Sequence, residues 1–192
     1  MKHLLPKLIF ILPFFVLVGC KKNETEAVVK NEIAKNSIQY ASGLSIVKHD
    51  GYSVVTVSEP WPNANAKFTY ILKEKEAKVP DSLQKYTTIN IPLESVVVTS
   101  TTNIPFLEML EVEDKLVGFP HTDYVSSEKT RVLIDKGSVK NVGENEKLNI
   151  EQLIELSPDL IVTFGVDNNN SALDNLKKSG LNVLIQADWM EQ

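Results

Sequence analysis

The sequence predicts an α/β chain: a parallel sheet with helices on both faces, preceded by a small antiparallel β unit. Three observations carry this. Val96-Val97-Val98 is a continuous apolar run and Leu160–Phe164 is apolar but for Thr163, as expected of strands covered on both sides. Segments with apolar residues at helical spacing alternate with such runs from residue 92 onward. Before Pro92 the apolar period is two, and Gly, Pro and Asp punctuate it. The 192 residues, 43% apolar and 23% charged, are enough for one domain with an appendage.

The first twenty residues belong to export. Lys2 and Lys7 precede residues 8–18, an uninterrupted apolar run, and eleven residues suit a signal h-region but are too few to span a bilayer. The run ends in Leu17-Val18-Gly19-Cys20, which looks like a lipobox with Cys20 as the lipid attachment site; an ordinary signal-peptide cysteine is the alternative. Cys20 is the one cysteine in the chain, which excludes an internal disulfide framework. Residues 21–43 are polar and read as a tether, although a short helix over 26–34 is an alternative.

Residues 44–91 form the expected β unit. Residues 45–49 and Tyr52–Ser58 flank Asp50-Gly51, a pair suited to a two-residue hairpin turn. Phe68, Tyr70 and Leu72 alternate with Thr69, Ile71 and Lys73 in a third strand, and residues 86–91 make a fourth. Trp61, between Pro60 and Pro62, reads as a plug at the sheet edge, with a ligand platform as the alternative.

Residues 92–192 form the α/β lobe. Val96–Val98 leads to Ser100-Thr101-Thr102-Asn103, whose oxygens can cap a helix with Ile104, Leu107 and Leu110 inward. Leu116–Phe119 and residues 139–142 are the next strands. Asn149 caps a helix burying Ile150, Leu153 and Ile154, which ends at Ser157-Pro158. Leu160–Phe164 follows, then a helix from Ser171 with Leu173 and Leu176 inward and Gly180 as its stop, and finally Val183–Gln186. Strands joined by helical crossovers run parallel, so their C-terminal ends share one edge, where ligands of open α/β sheets bind.

The loops at that edge are residues 99–102, 120–124, 143–145, 165–170 and 188–189. None holds a glycine-rich phosphate cradle or a Gly-x-Ser-x-Gly elbow. The run Asp167-Asn168-Asn169-Asn170 lacks the Gly and terminal Glu of a calcium loop and reads as a polar turn. His3, His49 and His121 are too scattered to suggest a multi-histidine metal centre. A net charge of −5 without a basic run argues against nucleic acid as a partner.

Thr99-Ser100-Thr101-Thr102-Asn103, Leu116-Val117-Gly118-Phe119 and, most specifically, Asn149-Ile150-Glu151-Gln152-Leu153-Ile154-Glu155-Leu156-Ser157-Pro158-Asp159-Leu160-Ile161-Val162 resemble the substrate-binding lipoproteins of cobalamin and ferric-siderophore ABC importers. The resemblance spans roughly residues 93–189. It implies one lobe, the N-terminal one, of a bilobal periplasmic-binding-protein fold. It also implies a non-enzymatic role without cofactor: capture of an iron complex (siderophore or haem) or cobalamin, and delivery to an ABC permease. The protein would be lipid-anchored on the extracytoplasmic side of the membrane, in the periplasm or at the cell surface.

In such proteins a long helix leads to a second lobe that closes over the ligand. Here the expectation is a truncated chain or a fragment lacking both. One wall of loops encloses less than the ~70–90% of ligand surface that such pockets cover, so weak or no binding is expected.

Carried over by position, Glu151 is the permease-docking glutamate; its alternative is a first-turn acid favoured by the helix dipole. Phe164 stacks on a large planar ligand or packs in the core. Ser100, Thr101, Asp123, Tyr124 and Asn145 line the cleft, with plain surface-loop solvation the default reading for the last three, and Trp189, after Asp188, is a ligand wall or packs beneath the inter-lobe helix. A lipid-anchored interaction module using the edge of the β unit remains an alternative, as does an α/β enzyme without a recognisable motif.

Overall fold

A computed structural model gives the structure of residues 35–145, 147–166 and 171–191. The export signal with Cys20, most of the tether and the Asp167–Asn170 run lie outside the described residues. So does the expected inward side chain of Leu173. Among the described residues no helix is long and apolar enough to cross a membrane.

The β unit contains β1 (Leu44–His49), β2 (Tyr52–Ser58), β3 (Lys67–Glu74) and β4 (Thr87–Ile91), in that spatial order. The β1–β2 hairpin turns on Asp50-Gly51 as expected, with His49 paired to Tyr52 and Gly51 at φ +71°. A Cβ on Gly51 would also lie 2.7 Å from the Ala77 Cβ, so glycine is required twice over. β2 and β3 are antiparallel, but β4 runs parallel to β3, from Tyr70 opposite Thr87 to Glu74 opposite Ile91. The unit is therefore mixed where a wholly antiparallel one was expected. Residues 75–86 are long enough to return the chain to the start of β3, which a tight turn cannot do.

The lobe runs β5 (Val96–Val98), α1 (Asn103–Met109), β6 (Leu116–Phe119), α2 (Glu128–Asp135), β7 (Lys140–Asn141), β8 (Gly143–Glu144), β9 (Lys147–Leu148), α3 (Ile150–Leu156), β10 (Leu160–Phe164), α4 (Ser171–Lys178) and β11 (Val183–Gln186). Its five-stranded sheet has the order β11-β10-β5-β6-β7, and every pairing is parallel. Val97, Ile161, Val183 and Ile185 point to one face, under Leu153 of α3 and Leu176 of α4. Val96, Val98 and Leu116 point to the other, under Ile104 of α1 and the partly buried Leu133 and Ile134 of α2.

The β unit covers the rest of that second face. Val55, Val57, Tyr70 and Ile89 form one cluster with Leu160, against which Val162 and Leu184 pack. Trp61 reaches round to the first face and is 2% exposed beside Phe68, so it acts as a plug. The Tyr70 hydroxyl oxygen accepts a 2.9 Å bond from the Ile185 N–H, satisfying a donor on the edge strand β11. Burial pushes the Tyr70 phenol up to about 12, against the opposing pull of that bond.

Between α1 and the β unit a groove of about 520 Å³ stays open. Its floor is Val96, Val98 and Val162, and its walls are Phe106, Leu107, Val112 and Leu93.

Several local expectations are corrected. Thr102 stands at the N-cap of α1 but its side chain makes no cap bond, because the hydroxyl is engaged within the loop and with Asp188. Leu110 lies just past the end of α1 and is 71% exposed, not inward. Ile154 is 51% exposed because α3 buries a stripe three residues apart, through Ile150, Leu153 and Leu156. The strand expected over 139–142 pairs only at Lys140 and Asn141, since Gly143, at φ +97°, turns the chain into the β8–β9 hairpin. Helix α2 was not foreseen; Ser127 caps it by accepting from the Thr130 N–H at 3.1 Å.

Candidate functional site

All five strands of the large sheet point their C-terminal ends to one edge. Between β5 and β10 the connections diverge, since β5 leads to α1 on one face and β10 to α4 on the other. Such a switch point opens a crevice. The two strand ends are locked together there: the Thr99 N–H donates to Val162 O at 3.1 Å, and the buried Thr99 hydroxyl donates to Thr163 Oγ1 at 3.0 Å.

Two cavities flank this point and share Ser100 and Phe164 as a common wall. The larger, about 410 Å³, is lined by Ser100, Thr101, Phe119, His121, Tyr124, Asn145 and Phe164, with Thr99 and Pro120. The smaller, about 150 Å³, is lined by Ser100, Thr102, Phe164, Val166, Gln186, Asp188 and Trp189. The structure thus brings Ser100, Thr101, Tyr124, Asn145 and Phe164 together, and places Trp189 on the far side of Phe164. Asp123 is exposed and lines neither cavity.

Backbone geometry presents the aromatic groups. His121 adopts a left-handed conformation, φ 49° and ψ 58°, held by its N–H donating to Gly143 O at 2.9 Å. This starts a single 3-10 turn, Thr122–Tyr124, in which the Tyr124 N–H donates back to His121 O at 2.9 Å. Arg131 of α2 anchors the turn by donating to Thr122 O at 2.8 Å. The His121 and Tyr124 rings lie 5.2 Å apart, and Tyr124 is 71% exposed. His121 was not singled out from sequence as a site residue, because nothing in the residue order reveals a positive φ.

Trp189 sits in the 3-10 turn Asp188–Met190 and is 47% exposed. The Ser100 and Thr102 hydroxyls share a 2.8 Å bond, and Thr102 Oγ1 donates to Asp188 Oδ2 at 3.2 Å, bridging the β5 loop to the β11 loop over the end of β10. The described walls contain one carboxylate, Asp188, one imidazole, His121, and no Lys or Arg. This lining can hold a ligand by ring faces, hydroxyls and an amide more readily than by charge.

Glu151 is exposed in the first turn of α3. The helix opens at the same edge, because its cap residue Asn149 donates its N–H to Val142 O, beside the end of β7, and accepts from the Gln152 N–H. At the opposite edge Asp159 ties the starts of β5 and β10 together, its Oδ2 accepting from the Glu94 and Ser95 N–H groups at 2.7 and 2.9 Å. The Pro-Asp-Leu part of the sequence motif is thus structural.

The chain is similar to several known proteins. An uncharacterized lipoprotein of Methanocaldococcus jannaschii is 20% identical over 191 residues, covering 88% of this chain and 45% of the relative. The chain therefore spans less than half the length of that curated relative. Among solved structures, Helicobacter pylori CeuE in a Ni-His complex is similar at 30% identity and a TM-score of 0.42, over 52% of this chain and 33% of that one. The periplasmic vitamin B12 binding protein BtuF of Vibrio cholerae is similar at 22% identity and a TM-score of 0.39, over 49% and 34%. The family model described as periplasmic binding protein matches residues 96–191, half of the chain and the whole of the parallel sheet. The chain belongs to the periplasmic binding protein family.

Proposed function

We propose that this protein is the solute-capturing component of an ABC importer, holding an iron complex (siderophore or haem) or cobalamin at the C-terminal edge of its parallel sheet for delivery to a permease. The observation that carries this reading is the cavity that Ser100, Thr101, Tyr124, Asn145 and Phe164 share, converging from three loops and the end of β10. Phe164 and Tyr124 offer ring faces to a large planar ligand, and the hydroxyls and amide offer neutral hydrogen bonds to its rim. Asp123 serves the outer rim. Glu151, exposed beside this edge, is the docking carboxylate for an arginine of the permease. Lipid on Cys20 anchors the protein on the extracytoplasmic face, residues 21–43 form the tether, and residues 44–91 and 92–192 form the β unit and the lobe.

Titration of the full chain in detergent with haemin, cyanocobalamin and a ferric catecholate, followed by ligand absorbance, tests the reading. Saturable binding of one of them is expected. Phe164→Ala should weaken it about tenfold, or ~1.4 kcal/mol, the upper range for an aromatic stack. Absence of saturation by all three ligands refutes the reading. Cys20→Ser should abolish palmitate labelling of the expressed protein, and persistent labelling would overturn the anchor assignment.

A further inference from the structure

The turn that carries Trp189 is held at both ends. At its start, Asp188 accepts from the Trp189 N–H and from Thr102 Oγ1, and its own N–H donates to Gln186 Oε1. At its end, the Glu191 carboxylate reaches back across the fold to the residues just before β1. Its Oε1 accepts from the Gly43 N–H at 2.8 Å, and its Oε2 accepts from the Ser42 N–H at 3.0 Å and the Ser42 hydroxyl at 3.4 Å. Gly43 is itself fixed, its carbonyl accepting from the Ser58 N–H at 2.8 Å. The approach is close enough that a Cβ on Gly43 would lie 3.0 Å from Ser58 O and 3.2 Å from Glu191 Oε1.

We infer that Glu191 is a positioning residue: by clasping Ser42 and Gly43 it fixes the turn bearing Trp189, so that the segment preceding the β unit sets one wall of the candidate ligand site. Only Trp189 and Met190 lie between the two anchored residues. Without the clasp the turn keeps only the Asp188 contacts and its own backbone bonds, from the Met190 N–H to Ala187 O and from the Glu191 N–H to Asp188 O, and Trp189 swings away from Phe164 and Val166. That Trp189 is a ligand wall rests on the function proposed above, whereas the clasp itself does not.

The two tryptophans separate cleanly. Trp61 is 2% exposed and Trp189 47%, so acrylamide quenching of the full chain in detergent reports on Trp189. Glu191→Ala should raise the quenching constant by a factor approaching two, the limit set by taking Trp189 from 47% to full exposure. Gly43→Ala, which crowds the clasp from the other side, should move it in the same direction. Both should leave the far-UV dichroism unchanged.

A pH profile distinguishes positioning from general support. The donated backbone bonds hold the Glu191 carboxyl below its ordinary range. The clasp is therefore complete above the usual carboxylate pKa and loosens as pH falls through the lowered value. Quenching in the parent chain should rise over that acid range and stay flat in Glu191→Gln. Among the described residues, the neighbouring carboxylates are Glu59, which lines the same small cavity as Glu191, and Asp188, at the other end of the turn. Glu59→Gln should keep the acid rise.

Parent-like quenching in both Glu191→Ala and Gly43→Ala, or an undiminished acid rise in Glu191→Gln, overturns the inference. If quenching responds while haemin, cyanocobalamin and ferric catecholate all fail to bind, the clasp stands and the proposed ligand function falls.

Discussion

Replacing Tyr70 with phenylalanine isolates one atom that joins the β unit to the lobe. The ring lies in the shared core and its oxygen accepts from the Ile185 N–H at 2.9 Å. Tyr70→Phe keeps the shape and leaves that N–H buried without an acceptor, which costs about 1–3 kcal/mol. The pH dependence gives a second, independent magnitude. Burial holds the phenol at about 12 in the folded chain, against 10 for an ordinary tyrosine. A raised folded pKa contributes stability in full below pH 10 and loses it as pH rises toward 12, because the unfolded chain ionises first. Two pH units correspond to roughly 3 kcal/mol. Urea unfolding followed by Trp61 emission at pH 7, 9 and 11.5 should therefore show the variant about 1–3 kcal/mol less stable at pH 7. That gap should close or reverse near pH 12. Equal stability of the two proteins at pH 7, or parallel loss of stability above pH 10, refutes the assigned role of Tyr70.

Asp159→Ala removes the acceptor that the Glu94 and Ser95 N–H groups share and should cost about 1 kcal/mol in urea unfolding, with ligand binding unaffected because the bond lies at the opposite edge. Gly118→Ala places a Cβ 2.8 Å from Val142 Cγ1 and 3.1 Å from Val97 Cγ2, so overpacking should destabilise by about 1–3 kcal/mol in the same assay. The apolar groove beside α1 should bind a hydrophobic reporter dye in the folded chain, and Leu107→Glu should reduce the dye emission severalfold without changing the dichroism.

The parallel strands were legible because burial on both faces writes itself as unbroken apolar runs. Val96–Val98 is such a run, and Leu160–Phe164 is interrupted by Thr163 only. Helix α2 was missed for the converse reason. Its start and stop residues, Ser127 and Gly137, are present in the sequence, but its fully buried inward position is Thr130, so the apolar period is broken. The hydroxyl is accommodated by donating to Glu108 Oε1 at 3.1 Å, an acceptor supplied by α1 and invisible from within the segment. The cap of α1 failed similarly. A hydroxyl at the right offset was assigned to the nearest helix, whereas Thr102 uses it across the sheet on Asp188. Of the expected site residues, those at strand ends were placed by topology alone. The contribution of His121 depends on a left-handed backbone that only the surrounding fold imposes.

The order of strands explains why this lobe carries a β unit at all. From β5 the chain moves outward through β6 to β7, and the helices of those steps, α1 and α2, lie on one face. It then crosses back to β10 and on to β11, with α3 and α4 on the other. Among the described residues, that winding leaves Leu160 and Leu184 of β10 and β11 with no helix above them and Val162 at the margin of α1. Apolar side chains in adjacent strands cannot remain exposed to water without destabilising the sheet, at about 25 cal/mol per Å². β1 to β4 supply the missing layer through Val55, Val57, Tyr70 and Ile89, and Tyr70 also caps the open edge of β11. The groove beside α1 is the seam where the helical and β coverings fail to meet. The β unit therefore covers a face that the described helices of the lobe leave open, and its root, at Ser42 and Gly43, lies against the very turn that carries Trp189.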